Sequence, residues 1–183
     1  ATTWVASAIY LAPIVGGREP KKQGVLVQLL FAAIILVAVG SLVGEVIGIY
    51  GGFGDLWFWF GHQGWEYLEL GRFWQILLFV GLIFWLVIVY RAVGRGSLKA
   101  KDPHFSSLIR FYVASAGLVV FFFAFGLLYG RGSHITVADY WRWFVVHIWV
   151  ESIFEFFGLA VIAMLMVAMG LVAAKSALRV AYF

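Results

Sequence analysis

The chain has 183 residues, of which 64% are hydrophobic, 19% aromatic and only 12% charged, and its mean hydropathy is +0.99. A soluble domain carries roughly 25% charged residues, so this composition excludes a soluble fold and indicates an integral membrane protein. The net charge of +4 fits basic loops held on one side of a bilayer, and no nucleic-acid partner is expected. The absence of cysteine from the sequence excludes disulfides, thiolate metal ligands and cysteine nucleophiles.

In chain order, the apolar stretches predict an all-α membrane protein with four full transmembrane helices. A helix crosses a bilayer with about 20 apolar residues, and four stretches reach that length: about 25–47, 70–92, 108–129 and 140–172. Shorter apolar stretches predict partial helices at both ends, at 1–15 and 176–183. The first residues lack the basic region of a signal peptide, and the last ones lie in an apolar run without a cap. We therefore expect residues 1–183 to be a membrane-embedded segment of a longer polypeptide.

The loops between these stretches alternate in charge. Ten of the thirteen Lys and Arg residues fall in 16–24, in 91–110 and in the tail, whereas 48–69 has three acidic residues and no basic one. The positive-inside rule places basic loops in the cytoplasm. The predicted topology is a multi-pass inner-membrane protein, with loops 16–24 and 93–107 cytoplasmic and loops 48–69 and 130–139 on the periplasmic or outer side.

The sequence VVHIWVESIFEFF, residues 145–157, puts three ionisable side chains into the fourth predicted helix. His147, Glu151 and Glu155 follow one another at intervals of four, so an α-helix places them along one face. An ionisable group deep in a bilayer costs about 3 kcal/mol on insertion scales. Each of the three is therefore expected to be paired, to line a cavity or to bind a ligand.

Three interpretations fit this polar stripe: contact with a polar group of another helix, proton transfer, and metal ligation. A neutral imidazole beside a carboxylate suits iron better than copper, which favours an all-nitrogen ligand set. Two ligands do not complete a metal site, so the other ligands would come from elsewhere. The second glutamate would then relay protons or orient the first.

The residues around the stripe resemble one family. The stretch YWRWFVVHIWVESIFEFF (140–157) is similar to the metal-binding helix of the respiratory nitric oxide reductases, whose signature there is H-[LI]-W-V-E-x-x-x-E. The stretch LWFWFGHQGWEYLELGRFWQILLFVGLIFWLVIVYRA (56–92) resembles the quinol-dependent branch, and IYLAP followed by GREPKKQG fits that branch as well. The resemblance covers essentially all 183 residues and corresponds to a middle portion of a catalytic subunit with at least twelve helices.

This resemblance implies a haem-copper-oxidase-like bundle of twelve or more helices, whose complete subunit reduces two NO to N₂O with electrons from quinol. His147 would ligate a non-haem iron beside a high-spin haem b, Glu151 would supply its carboxylate ligand, and Glu155 would assist proton delivery. Glu66 and Glu69 would lie near the haem propionates on the outer side. The axial ligands of the low-spin and high-spin haems b would lie outside this chain, so the segment alone is expected to be inactive.

Two alternatives stay open on the sequence. A nitric oxide dismutase would share the scaffold of the reductases. A non-catalytic membrane scaffold or transport subunit would carry the same polar helix and would bind neither haem nor iron. The expected partners are the remaining helices of the same catalytic subunit, the lipid bilayer, quinol and NO.

Overall fold

The computed structural model describes residues 2–63 and 70–182, and every regular element in these two stretches is helical. The predicted propionate-side residues Glu66 and Glu69 lie outside the described residues. The α-helices are α1 Thr2–Gly16, α2 Gln23–Ile49, α3 Trp57–Phe60, α4 Arg72–Ser97, α5 Pro103–Phe123, α6 Ile135–Trp143, α7 Phe154–Ala168 and α8 Ala174–Ala181. Two 3₁₀ turns, Gly54–Leu56 and Ala124–Leu127, precede α3 and extend α5, and a π-helix, Phe144–Ile153, joins α6 to α7.

Four of these helical runs are long and apolar enough to cross a bilayer: Gln23–Ile49, Arg72–Ser97, Pro103–Leu127 and Ile135–Ala168. The prediction of an all-α membrane protein with four full transmembrane helices and shorter helices at both ends is therefore confirmed.

The third and fourth runs begin about five residues before the predicted spans, because polar residues cap their first turns. Proline suits the first position of a helix, and the Asp102 carboxylate accepts a hydrogen bond of 2.9 Å from the His104 amide at the start of α5. At the start of α6, the His134 ring nitrogen accepts from the Thr136 amide at 3.3 Å. These side chains satisfy amide groups that have no partner within the helix.

The fourth run ends at Ala168, although the apolar sequence continues to residue 172. Gly170 has a φ of 72°, which is a left-handed conformation that glycine adopts without steric cost. Its amide bonds to the Val167 carbonyl, and the Leu171 amide bonds to the Met166 carbonyl, both at 3.0 Å. This pattern is a Schellman motif, which closes a helix whatever the hydropathy of the next residues. The chain then restarts as α8.

The described residues form two compact units, and the first comprises 2–27, 85–119 and 152–182. In this unit α1 packs against α7, and a Cβ at Gly158 would meet the Trp4 ring at 3.3 Å. Two buried side chains bond to the backbone of α1: Trp85 Nε1 donates to the Val5 carbonyl at 3.2 Å, and the Tyr112 hydroxyl donates to the Ala8 carbonyl at 2.7 Å. Buried polar groups need such partners, so α1 is fixed to its unit by polar as well as apolar contacts.

The second unit comprises 28–63, 70–84 and 120–151, and in it a row of glycines lets α2 approach the segment around α3 and the start of α4. A Cβ at Gly44 would lie 2.2 Å from the Phe60 carbonyl oxygen, and one at Gly40 would lie 2.3 Å from the Trp74 ring. The Trp74 indole N–H donates to the same Phe60 carbonyl at 3.3 Å. Small residues four apart allow this close approach in membrane helices.

Candidate metal-ligand pair

The polar stripe begins in the π-helix, Phe144–Ile153, which contains His147 and Glu151. A π-helix bonds i to i+5 instead of i to i+4, is rare, and often marks a functional site. The buried side of this segment is anchored by Val145, which belongs to a core cluster of the second unit against which Trp149 packs. Trp149 also contacts Phe123, with ring centroids 4.9 Å apart. The apolar residues therefore hold one side of the π-helix while the polar pair occupies another.

His147 and Glu151 contact each other directly. The His147 Nδ1 atom lies 2.7 Å from the Glu151 Oε2 atom, which is the distance of a charge-assisted hydrogen bond. The Trp143 indole stacks on the imidazole of His147, with ring centroids 4.5 Å apart and planes inclined by 16°. One nitrogen and one carboxylate donor are thus brought together on a single helical segment.

The pair faces away from the core of its unit. The side chains of His147 and Glu151 are 54% and 55% exposed. The sequence leads to the expectation that the ionisable side chains face other helices of a bundle, but the helices of the described residues do not enclose this pair. The reason is that Val145 and Val146 turn inward and are nearly buried. The described part of the chain therefore does not cover the side chains of His147 and Glu151.

Glu155 is the third residue of the predicted stripe and lies in the first turn of α7, where its side chain is exposed. It belongs to the first unit, whereas His147 and Glu151 belong to the second. Its predicted part in proton delivery stays a prediction, and so do the positions of Glu66 and Glu69 near haem propionates.

Within residues 2–63 and 70–182, no group of three or more His, Cys, Asp or Glu side chains is placed to hold a metal ion. Two donors, His147 and Glu151, do lie side by side. An imidazole nitrogen with a carboxylate oxygen suits iron among the transition metals. The chemistry of this pair is compatible with two ligands of a non-haem iron site, and further ligands would have to come from elsewhere.

The histidines of the described residues other than His147 lie in a loop or at the start of a helix. His62 lies in the loop after α3, His104 is exposed at the start of α5, and His134 caps α6. His147 is engaged with Glu151 and Trp143. That the axial ligands of the haems lie outside this chain remains a prediction. No haem ligand is assigned among these histidines.

A buried arginine was missed by the sequence analysis. Arg72, at the start of α4, donates to the Gly126 carbonyl at 3.1 Å and to the Tyr129 carbonyl at 2.5 Å. Its guanidinium also lies 4.5 Å from the centre of the Tyr129 ring and 5.3 Å from that of Phe58. Phe58 and Tyr129 belong to the same core cluster as Val145, so Arg72 supports the unit that carries the polar pair. A signal existed, because Arg72 is the only basic residue between Lys22 and Arg91.

Tyr129 extends this polar contact. Its hydroxyl donates to Gln63 Oε1 at 2.6 Å, and the Gln63 side-chain amide donates to the Phe58 carbonyl at 2.9 Å. Burial raises the pKa of the Tyr129 phenol, and this effect outweighs the opposing influence of the nearby Arg72 charge. The phenol therefore stays neutral and available as a hydrogen-bond donor across the physiological pH range.

The four membrane-spanning runs define a multi-pass integral membrane protein. Comparison with known families then gives its affiliation. The family model of cytochrome c and quinol oxidase polypeptide I matches residues 1–182, so the chain belongs to this family. The family consists of haem-binding oxidoreductase subunits built as multi-helix membrane bundles, which confirms the predicted haem-copper oxidase superfamily. No curated protein matches the chain.

Proposed function

We propose that this chain is a segment of the catalytic subunit of a quinol-dependent nitric oxide reductase, which carries out 2 NO + 2 H⁺ + 2 e⁻ → N₂O + H₂O. The observation that carries the proposal is the pair of donors, His147 Nδ1 and Glu151 Oε2, 2.7 Å apart in a π-helical segment. The family membership supports a haem-binding redox subunit. The choice of NO and quinol within that family rests on the resemblance of residues 140–157 and 56–92 to the reductases.

On this proposal, His147 and Glu151 hold a non-haem iron and Glu155 assists proton delivery. A non-haem iron held by these residues would supply a second metal centre for the reduction of NO. The residues of this chain bind and orient: the imidazole gives a nitrogen ligand, and the carboxylate gives an anionic oxygen ligand that an all-histidine copper site lacks. The contact between them restricts the orientation of both side chains before any ligand arrives.

The exposure of the pair supports a larger assembly. An ionisable group left facing hydrocarbon costs about 3 kcal/mol, and more than half of each side chain is uncovered by the described residues. The remaining helices of the same subunit are the partner that we propose for this surface. They would carry the other iron ligands and the axial ligands of the low-spin and high-spin haems b. We also propose an inner-membrane location with the basic loops in the cytoplasm.

The test replaces Glu151 in the full-length protein. Glu151→Gln keeps the size of the side chain but removes the anionic ligand, so we expect NO consumption to fall by at least tenfold, together with loss of non-haem iron. The matched control is Glu45→Gln, which changes a half-buried carboxylate within the span of α2 and is expected to keep both activity and iron. Wild-type iron content and activity in the Glu151→Gln protein would refute the role of Glu151.

Two further measurements on the purified wild-type protein decide between the candidate functions. A dismutase would release O₂ and N₂ from NO, whereas the reductase releases N₂O. A non-catalytic scaffold or transport subunit would contain neither haem nor iron, which absorption spectra and metal analysis detect. Expressed alone, residues 1–183 are expected to show no haem b Soret band and no activity.

A further inference from the structure

We propose that Trp143 is a positioning residue for His147, and that its indole fixes the plane in which the imidazole nitrogens lie. This inference rests on the proposed function, because it gives Trp143 a part in binding the non-haem iron. It concerns a residue that ends α6, immediately before the π-helix that carries the ligand pair.

The geometry of the contact is that of a stacked aromatic pair. The ring centroids of Trp143 and His147 lie 4.5 Å apart, and their planes differ by only 16°. This separation is at the short end of the range in which aromatic rings attract each other. A rotation of the imidazole about its Cβ–Cγ bond would turn its edge toward the indole and lose the stacking.

Such a restraint is needed because one hydrogen bond does not fix a histidine ring. The terminal torsion of a histidine side chain is broad and has no sharp preferred value. The contact with Glu151 joins one atom, Nδ1, to a carboxylate oxygen at 2.7 Å, and a contact at one atom does not by itself set the tilt of the ring. The indole restricts that tilt, so the stacking adds to the contact with Glu151 in orienting both nitrogens. Metal-binding histidines depend on such outer contacts for affinity.

Trp143 is itself held in place by neighbours on α6. The Arg142 guanidinium lies 5.4 Å from the centre of the Trp143 ring system, within the range of a cation–π interaction. Arg142 Nη1 in turn lies 3.0 Å from Asp139 Oδ1. A continuous series of contacts therefore runs from Asp139 to Glu151 through the indole. A tryptophan that only anchors a helix at the membrane interface does not need contacts of this kind.

The experiment measures how fast non-haem iron leaves the full-length protein. The purified protein, with haem bound, is mixed with an excess of a ferrous chelator, and iron release is followed by absorbance together with haem content and melting temperature. Trp143→Leu removes the stacking, and we expect it to release iron about three- to tenfold faster than wild type. Trp143→Phe keeps an aromatic ring and is expected to stay within about twofold of wild type.

Two controls separate positioning from a general structural effect. Trp143→Met gives the same measurement with an unbranched side chain if the leucine variant does not fold. Tyr140→Leu removes another exposed aromatic side chain of α6, whose ring contacts Trp141 and Phe144, and is expected to release iron at the wild-type rate. Haem content and melting temperature are expected to be unchanged in all four variants.

Each result decides the matter. Faster iron release in the leucine and methionine variants, with recovery in the phenylalanine variant, supports the positioning role. Wild-type release rates in both aliphatic variants overturn it, and so does an equally fast release from Tyr140→Leu. A wild-type protein that contains no non-haem iron overturns the proposed function and this inference together, whereas iron that is present but insensitive to Trp143 overturns the inference alone.

Discussion

The close approach of α2 to the segment around α3 predicts that Gly44 does not tolerate a side chain. A Cβ at this position would lie 2.2 Å from the Phe60 carbonyl oxygen and 3.1 Å from the indole nitrogen of Trp74. The first of these is a backbone atom, which cannot move away without moving its whole segment. The same carbonyl accepts the hydrogen bond of Trp74, so a displacement would also weaken that bond.

The magnitude follows from two opposing effects. Alanine is favoured over glycine within a helix by up to about 1 kcal/mol. Forcing an extra methyl group into a packed interface costs about 1–3 kcal/mol, and contact with backbone puts Gly44→Ala at the upper end of that range. We therefore expect a net loss of about 1–2 kcal/mol, which is large enough to lower the melting temperature by several degrees.

The matched control is Gly81→Ala in α4, within the same unit, where an added Cβ would meet no atom within 4 Å. This substitution keeps only the helix-propensity effect and is expected to be neutral or stabilising by up to about 1 kcal/mol. The assay is thermal unfolding of both full-length variants in the same detergent at one heating rate, because membrane proteins often unfold irreversibly. A Gly44→Ala protein that melts at or above the temperature of Gly81→Ala would show that α2 does not approach Phe60 as described.

Three further predictions concern the second unit and the end of α7. Arg72→Lys is expected to lose about 1.5–3 kcal/mol of stability in thermal unfolding, because an ammonium group cannot reproduce the hydrogen bonds to two carbonyls. The control is Arg131→Lys at a half-exposed position, which should change the stability by no more than about 0.5 kcal/mol. Because the pKa of Tyr129 is raised in the folded state, its contribution to stability is complete below about pH 10, the pKa of an unfolded tyrosine, and declines as the pH rises further. The melting temperature of wild type should therefore fall more steeply above pH 10 than that of Tyr129→Phe. Gly170→Ala is expected to lose about 1–2 kcal/mol in the same unfolding assay, because its φ of 72° is strained for alanine; wild-type stability would argue against the left-handed turn.

The membrane spans could be predicted from the sequence because length and hydropathy decide them. Their ends could not be predicted as well, because single polar groups and glycines decide where a helix begins and stops. The fourth run shows both errors: it begins at Ile135, where His134 caps it, and it ends at Ala168, where Gly170 closes it inside an apolar stretch.

The sequence predicted the proximity of His147 and Glu151 but not the type of helix that carries them. The interval of four between His147 and Glu151 brings them together in the structure. That interval does not reveal a π-helix, because side chains four apart are neighbours in both helix types and the apolar pattern changes little. It also does not reveal which side of the helix faces the core. That depends on Val145 and on the cluster that it joins.

Arg72 was overlooked because hydropathy treats an arginine at the start of a span as an ordinary interfacial charge. Its burial depends on the carbonyls of Gly126 and Tyr129, which lie more than fifty residues away in sequence. The residues adjacent to Arg72 in sequence do not show which distant carbonyls accept its hydrogen bonds. The sequence feature that points to it is the position of Arg72 as the only Lys or Arg between Lys22 and Arg91.

The exposed side chains of His147 and Glu151 carry an energetic cost. The second unit has core residues on one side of the π-helix, yet places an imidazole and a carboxylate on a surface at membrane depth. Their mutual contact compensates only part of the cost of leaving water, because more than half of each side chain is uncovered by the described residues. The remainder is recovered by groups that contact this surface, for which we propose the remaining helices of the subunit together with a metal ion. The exposure of the two side chains is therefore a physical reason, separate from the sequence resemblance, to expect that groups outside the described residues contact this surface.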